Sequence, residues 1–365
     1  MRRSFWKSMA WIIAPLASLI APRAAHSQSE SSAVSSACPA QGGLHFICGV
    51  GAVEEIAPVP HTRWIIASSL KIAPAHFRLV DGQAQVARRM RVELQKSSVN
   101  RRCPLPPDPS RWSFDGVSIG TGRNGRMRLF AANHGGREAI EVFEVRQRAG
   151  IPFLRWSQCL PMPAGTSPNA IVADGDGLIY VVSAKNPADA QAWARMKHQQ
   201  PTGSVWRWRQ SVDGFERLPI PGISGGNGIA LSPDRRKLYI SAWAQNTIVE
   251  WDLQAQHARS IMLDFMPDNL HFDHDGRLLV AGQRSSVSAI ANCGTQCPQP
   301  WTAGALNLSN GAFTALFSGN GTHEINYACG LQRASKKYWL TLRGNDKMGW
   351  SSVNGRIEHN DQVAR

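Results

Sequence analysis

Five polar side chains recur at one place in a repeating pattern along this chain: Glu54, Asn169, Asn227, Asp268 and Asn269. Each lies shortly before a turn that leads into a short apolar or β-branched strand. Val53-Glu54-Glu55 precedes Arg63-Trp64-Ile65-Ile66, and Ser167-Pro168-Asn169 precedes Leu178-Ile179-Tyr180-Val181. Gly226-Asn227-Gly228 precedes Leu238-Tyr239-Ile240, and Pro267-Asp268-Asn269 precedes Leu278-Leu279-Val280. If these strand pairs stack around one axis, the five side chains converge on it. Convergent carboxylate and amide oxygens are hard donors that suit Ca²⁺. Two carboxylates balance a dication, and three amides extend its coordination without adding repulsion. Asn and Asp are also common in turns for local reasons. Five of them in order favour a metal-centred ring over that local explanation.

The elements that must position them form a repeat. Six segments share a polar or Gly-containing approach, a short strand, a turn and a second strand. The second strands are predicted at Arg63–Ser68, Met127–Asn133, Leu178–Ser183, Lys237–Ala242, Arg277–Gly282 and Lys337–Leu342. Their turns have the expected chemistry: Gly122 to Gly125, Asp174 to Gly177, Ser232-Pro233-Asp234 and Asp273 to Gly276. Further strands are predicted at Ala139–Val145 and Thr247–Asp252, which alternate with period two. Long helical periodicity is absent. The interval suits one four-stranded blade per repeat, so the fold expected is all-β, a six-bladed β-propeller with four-stranded blades. Asn186–Gln200 reads as an excursion from the ring carrying one short helix, either a lid or the cover of a blade edge. Trp206, Trp208, Trp243 and Trp251 are expected as packing on blade strands.

The first 27 residues read as a signal peptide, which leaves 28–365 for the propeller. Arg2, Arg3 and Lys7 precede a modest apolar run, and Ala25-His26-Ser27 is a small-x-small cleavage site. Arg2-Arg3-Ser4-Phe5-Trp6-Lys7 also fits a twin-arginine motif, so a twin-arginine and an ordinary secretory signal both stay open. Either puts the protein in the periplasm or outside the cell. No later stretch is apolar enough for a membrane span. Losing Arg2, Arg3, Lys7 and Arg23 lowers the formal charge from +14 to +10. The basic residues are scattered without a stripe, which argues against a nucleic-acid partner.

All seven cysteines follow the leader. Cys293 and Cys297 read as a local staple, and Cys103 with Cys159 as a second pair. Cys38 has two candidate partners, Cys48 or Cys329. One cysteine is left over. Spacing for a zinc site is absent.

At this point the residues carry a family resemblance. Gly226-Asn227-Gly228-Ile229-Ala230-Leu231-Ser232-Pro233-Asp234 resembles the signature blade of the gluconolactonase, strictosidine-synthase-like and paraoxonase propellers. Val53-Glu54-Glu55, Ala132-Asn133-His134 with Ile140-Glu141-Val142-Phe143, Pro168-Asn169-Ala170 and Pro267-Asp268-Asn269-Leu270 resemble the paraoxonase/arylesterase branch. The likeness runs from about Cys48 to Leu342. It implies one central Ca²⁺ held by Glu54, Asn169, Asn227, Asp268 and Asn269. It also implies that His134 acts as base or base partner. The family's other catalytic histidine falls at Asp115, a departure that leaves a carboxylate to serve as base, to orient His134 or to add charge at the metal. A second, structural ion would need acids at Glu55 and Ala170, and Ala170 offers no ligand.

The function expected is a calcium-dependent hydrolase of small lactones or aryl esters. Water would attack a metal-polarised carbonyl, with His134, Asp115 or Asp268 removing the proton. A non-catalytic ligand-binding propeller is the alternative, as is a lyase or isomerase on the same metal scaffold. Gly116-Val117-Ser118-Ile119-Gly120 matches Gly-x-Ser-x-Gly, but a nucleophile elbow needs a helix after the serine and a hairpin turn follows here. Cys329 falls near the pocket wall, as a lining group, a substrate-shaping group or half of a disulfide.

Overall fold

A computed structural model describes residues 37–353, apart from 42, 71–75, 96–102, 123, 176, 213, 294–298, 322–326 and 344–345. Ala33–Arg365 form one compact unit. The leader, and the proposed Cys293–Cys297 staple, lie outside the residues whose side chains are described.

The unit is a six-bladed propeller of antiparallel four-stranded blades. From inside outwards, blade 1 is Val53–Pro58, Trp64–Ser69, Arg78–Asp81 and Val86–Arg89. Blade 2 is Phe114–Thr121, Met127–Asn133, Ala139–Arg148 and Ile151–Pro161, with Val92–Glu93 added in parallel at its outer edge. Blade 3 is Pro168–Ala173, Leu178–Ser183, Ser204–Arg209 and Gly214–Arg217. Blade 4 is Gly226–Leu231, Lys237–Ala242, Thr247–Asp252 and His257–Met262. Blade 5 is Met266–Phe272, Leu278–Gln283, Trp301–Leu306 and Phe313–Gly319. Blade 6 combines Ala328–Ala334, Lys337–Leu342 and Lys347–Ser352 with the early strand Leu44–Cys48, and Ala37–Gln41 lies beyond it. The six inner strands touch in sequence, the last meeting the first. Four of the predicted second strands match the structure to the residue. The other two, in blades 1 and 5, start and end one residue later, at Trp64–Ser69 and Leu278–Gln283.

The sequence folds this way because both faces of a blade are covered. Successive side chains of a strand point to opposite faces. Ile179 and Val181 pack towards blade 2, while Tyr180 and Val182 pack towards blade 4. Such strands therefore read as continuous apolar runs rather than alternating ones. Each pair of neighbouring blades shares one apolar layer. The layer between blades 6 and 1, with Trp339 and Met348 against Ile56 and Ile65, completes the circle. The strand Leu44–Cys48 pairs with Lys347–Ser352, so the chain's two ends close the ring. Cys38 bonds to Cys48 within this closure, which decides between its two candidate partners, and Cys103 bonds to Cys159. Cys329 is buried and free.

The excursion after the second strand of blade 3 holds a helix, α1 (Ala192–Lys197), and a second helix, α2 (Val287–Cys293), follows the second strand of blade 5. Ala192 and Met196 of α1 and Val287 and Ile290 of α2 pack in one cluster with Trp243, Tyr327 and Cys329. Among the described residues, no helix is long and apolar enough to cross a membrane. Ser118 lies within the inner strand of blade 2, where its Oγ accepts the Ala173 amide at 3.0 Å. It forms no nucleophile elbow.

Candidate metal centre

Every inner strand breaks register with its neighbour once, and the break falls at the same level in all six blades. In blade 1 it lies between Val53 and Ile56, and in blade 2 between Phe114 and Val117. In blade 3 it lies between Pro168 and Ala170, and in blade 4 between Gly226 and Ile229. In blades 5 and 6 it lies between Pro267 and Leu270 and between Ala328 and Gly330. A bulge leaves a residue out of the ladder and re-aims its side chain. The residues so released are Glu54, Asp115, Asn169, Asn227, Asp268 and Cys329, with Glu55 and Asn269 beside two of them. Glycine follows three of these positions because neighbouring strands crowd together here. A Cβ on Gly116 would meet the Asn169 carbonyl at 2.5 Å, and one on Gly228 would meet the Asp268 carbonyl at 2.3 Å.

The released side chains converge. Donor atoms of Glu54, Asp268 and Cys329 all lie within 4.8 Å of one another. Asn269 Nδ2 donates to the Glu54 carbonyl at 3.1 Å, and Asn169 Nδ2 donates to Asp115 Oδ2 at 3.2 Å. Neighbouring hydroxyls fix the backbone of the same positions. Thr341 Oγ1 donates to the Glu54 carbonyl at 3.0 Å and Ser241 Oγ to the Asp268 carbonyl at 2.6 Å. Gln283 Nε2 donates to Asp268 Oδ2 at 2.9 Å, and its own Oε1 accepts from Trp243 Nε1 at 2.8 Å.

Four buried oxygens in this group have no hydrogen-bond partner: Glu54 Oε1, Asp115 Oδ1, Asn227 Oδ1 and Asp268 Oδ1. An unpartnered buried oxygen is costly, and more so when charged. Burial, opposed by Arg343 and reinforced by the negative charges of Asp115 and Asp268, holds the Glu54 carboxyl well above the usual carboxylate range. Burial also lifts Asp268, against its hydrogen bond from Gln283, to about 7. Arg343 Nε lies 3.5 Å from Glu54 Oε2, with a third of its side chain exposed. Burial works against the Arg343 charge, but Glu54, Tyr327 and Asp115 outweigh it and hold that charge firmly. These residues fit a cation: hard oxygens, net negative charge and orphaned lone pairs at one level of the ring.

His134 follows the second strand of blade 2, in a tight turn in which the Gly136 amide donates to its carbonyl at 3.0 Å. Its Nδ1 lies 2.7 Å from Glu138 Oε2 and its Nε2 3.4 Å from Asp115 Oδ2. Burial disfavours the imidazolium, but the hydrogen bonds to Asp115 and Glu138 outweigh it and raise the pKa to about 9. Glu55 turns elsewhere: its Oε1 lies 2.9 Å from His271 Nε2. Sequence reasoning did not pick out Glu138, Arg343, Tyr327 or Gln283. Of these only Glu138, four residues after His134, carried a local signal.

Residues 76–315 match the SMP-30/gluconolactonase/LRE-like region. The chain belongs to this family. Solved structures share its propeller at low identity. A gluconolactonase from Xanthomonas campestris is 18% identical, with a TM-score of 0.51 over 85% of this chain and 89% of its own. A luciferin-regenerating enzyme is 12% identical, with a TM-score of 0.54 over 86% and 96%. A protein of unknown function from Bacteroides thetaiotaomicron is 10% identical, with a TM-score of 0.55 over 83% and 70%. No curated protein sequence matches the chain. At these identities the likeness is one of fold, and the SMP-30/gluconolactonase family match is what bears on kinship.

Proposed function

We propose that this chain is an exported, calcium-dependent hydrolase of lactones or aryl esters. The observation that carries the reading is the set of four unpartnered buried oxygens on Glu54, Asp115, Asn227 and Asp268. Family membership supports a lactone as the substrate class. The two disulfides support an oxidising compartment.

Glu54, Asp268 and the side-chain oxygens of Asn169, Asn227 and Asn269 would hold the ion, with Asp115 contributing its free oxygen. When bound, Ca²⁺ supplies a Lewis acid that polarises a substrate carbonyl and stabilises the oxyanion that forms there. Glu138 holds the Nδ1 proton of His134, which leaves Nε2 to take the proton of the attacking water. Once Nε2 has taken that proton it donates to Asp115, which stabilises the imidazolium. Without a cation, two carboxylates keep His134 protonated near neutral pH. A cation sharing the Asp115 charge would lower the affinity of Nε2 for its proton, so that Nε2 could serve as base.

The test is elemental analysis of purified protein together with a panel of lactones and aryl esters, with and without chelator. Bound calcium and chelator-sensitive lactone hydrolysis are expected. Hydrolysis of nothing in either condition would make the protein a binding propeller, and chelator-resistant turnover would remove the ion from the reaction.

A further inference from the structure

We infer that Cys329 makes this centre selective for thiophilic divalent cations, so that Zn²⁺ or Cd²⁺ displaces Ca²⁺ from the same position. The inference deepens the cation-site reading above and rests on it. Blade 6 presents a thiol at the level where blades 1 to 5 present oxygen donors. Cys329 is fully buried and, unlike the disulfide-bonded Cys38, Cys48, Cys103 and Cys159, it is free. Its Sγ lies 3.5 Å from Glu54 Oε2 and 3.5 Å from the Tyr327 carbonyl, and one S–H proton serves only one of these at a time. Tyr327, Met266 and Trp243 pack around it and fix its position.

The spacing suits a small cation with a sulfur ligand. With Zn–S of ~2.3 Å and Zn–O of ~2.0–2.2 Å, tetrahedral donors stand roughly 3.5 Å apart. The thiol and Glu54 Oε2 already have that separation. The Asp268 carboxylate completes a set of three donors within 4.8 Å of one another. Three protein donors with a fourth position open to water or substrate is an arrangement found at catalytic zinc. Sulfur favours soft and borderline metals over Ca²⁺, which prefers oxygen. On binding, the S–H bond breaks, the proton passes to bulk solvent, and the sulfur donates its lone pair to the cation. The orphaned Glu54 Oε1 and Asp268 Oδ1 are buried polar atoms that independently call for a cation here.

The experiment titrates metal-free full-length protein with Cd²⁺ and follows the ultraviolet sulfur-to-cadmium charge-transfer band. Cys293 and Cys297 are both replaced by serine so that the band reports on Cys329. One equivalent should produce the band, and excess Ca²⁺ should remove it only at far higher concentration. Cys329→Ser should abolish the band and weaken Cd²⁺ binding by about 100-fold or more, since loss of even an outer-shell partner costs roughly 10–100-fold. Its thermal stabilisation by Ca²⁺ should stay near wild type. X-ray absorption at the zinc edge of the Zn²⁺-loaded protein requires no variant at Cys329, and one sulfur neighbour is expected. No band in the parent protein, a band that survives Cys329→Ser, or a zinc shell without sulfur overturns the inference. A Cys329-dependent band in a protein that Ca²⁺ neither stabilises nor competes with would sink the calcium reading and, with it, the displacement of Ca²⁺ inferred here, leaving only a thiolate site for soft cations.

Discussion

Asp115 Oδ2 lies 3.4 Å from His134 Nε2, and the same oxygen accepts a hydrogen bond from Asn169 at 3.2 Å. One carboxylate thus joins the group that would move a proton to the group that would hold a cation. Its second oxygen is buried and unpartnered. A histidine in place of Asp115 would supply no such bridge of negative charge.

That bridge separates the roles of two residues. His134→Gln is predicted to lower kcat on a hydrolysed lactone by ~10²-fold or more with calcium affinity near normal, because general-base assistance is typically worth that much. Asp115→Asn should lower both kcat and calcium affinity. Steady-state kinetics beside calcium titrations decide it. A mild His134→Gln with a severe loss of kcat alone in Asp115→Asn would transfer the base to Asp115.

Removal of the ion should be visible without any substrate. At Ca²⁺ about a hundredfold above its dissociation constant, binding stabilises the native state by about 2.7 kcal/mol. For a domain of this size that is roughly 3–5 °C in Tm. Chelator should lower Tm by that much in the wild type and have little effect on Asp268→Ala. Coincident melting curves with and without chelator in the wild type would contradict the metal assignment.

The chelated protein should also respond to pH in the sense opposite to most proteins. Folded Asp268 keeps its proton up to about 7, whereas an unfolded aspartate releases it near pH ~4. Between these values the folded state binds more protons, so stability falls as pH rises through that window. Glu54 is raised too and adds to the fall. His134, raised to about 9, stabilises fully below its unfolded value of ~6.5 and loses that contribution as pH climbs through about 9. Calcium needs both carboxylates ionised, so its stabilising effect should grow from about pH 5 to about pH 8. Melting curves across that range, with and without Ca²⁺, test this. A calcium-induced shift that shrinks with rising pH would refute it.

Support for His134 depends on a pair further out. Glu141 is fully buried and accepts from Arg137 at 2.7 and 2.9 Å, from Trp156 at 2.8 Å and from Asn133 at 3.2 Å. Asn133 in turn accepts the Gly135 amide at 2.8 Å, which shapes the His134 turn. Glu141→Ala leaves the Arg137 charge and the Trp156 donor without their partner and should cost about 3–5 kcal/mol in denaturant unfolding. A change of less than ~1 kcal/mol would mean that water replaces the carboxylate freely.

The blades were legible because turn chemistry and double-faced apolar strands leave local marks. Leu178–Ser183 and Lys237–Ala242 could be bounded from such marks alone. Glu54, Asn169, Asn227 and Asp268 stood out as polar residues ahead of those strands. Asp115 and Cys329 occupy the same level of the ring, yet nothing local marks their equivalence. A bulge is a property of pairing between strands, and neither residue type announces one. Gln283, Arg343 and Tyr327 reach the centre through packing between blades, which no short window of sequence contains.

Because Leu44–Cys48 pairs with Lys347–Ser352, the order of synthesis bears on how this protein matures. A chain made at ~5–20 residues per second leaves one edge of this strand, the one not paired with Ala37–Gln41, unpaired for on the order of tens of seconds, until the final blade emerges. During that time an unpaired strand edge is open to other chains. A nascent chain stalled before blade 6 lacks both the latch and the Cys329 wall of the centre, so completion of the ring and completion of the site are the same late event.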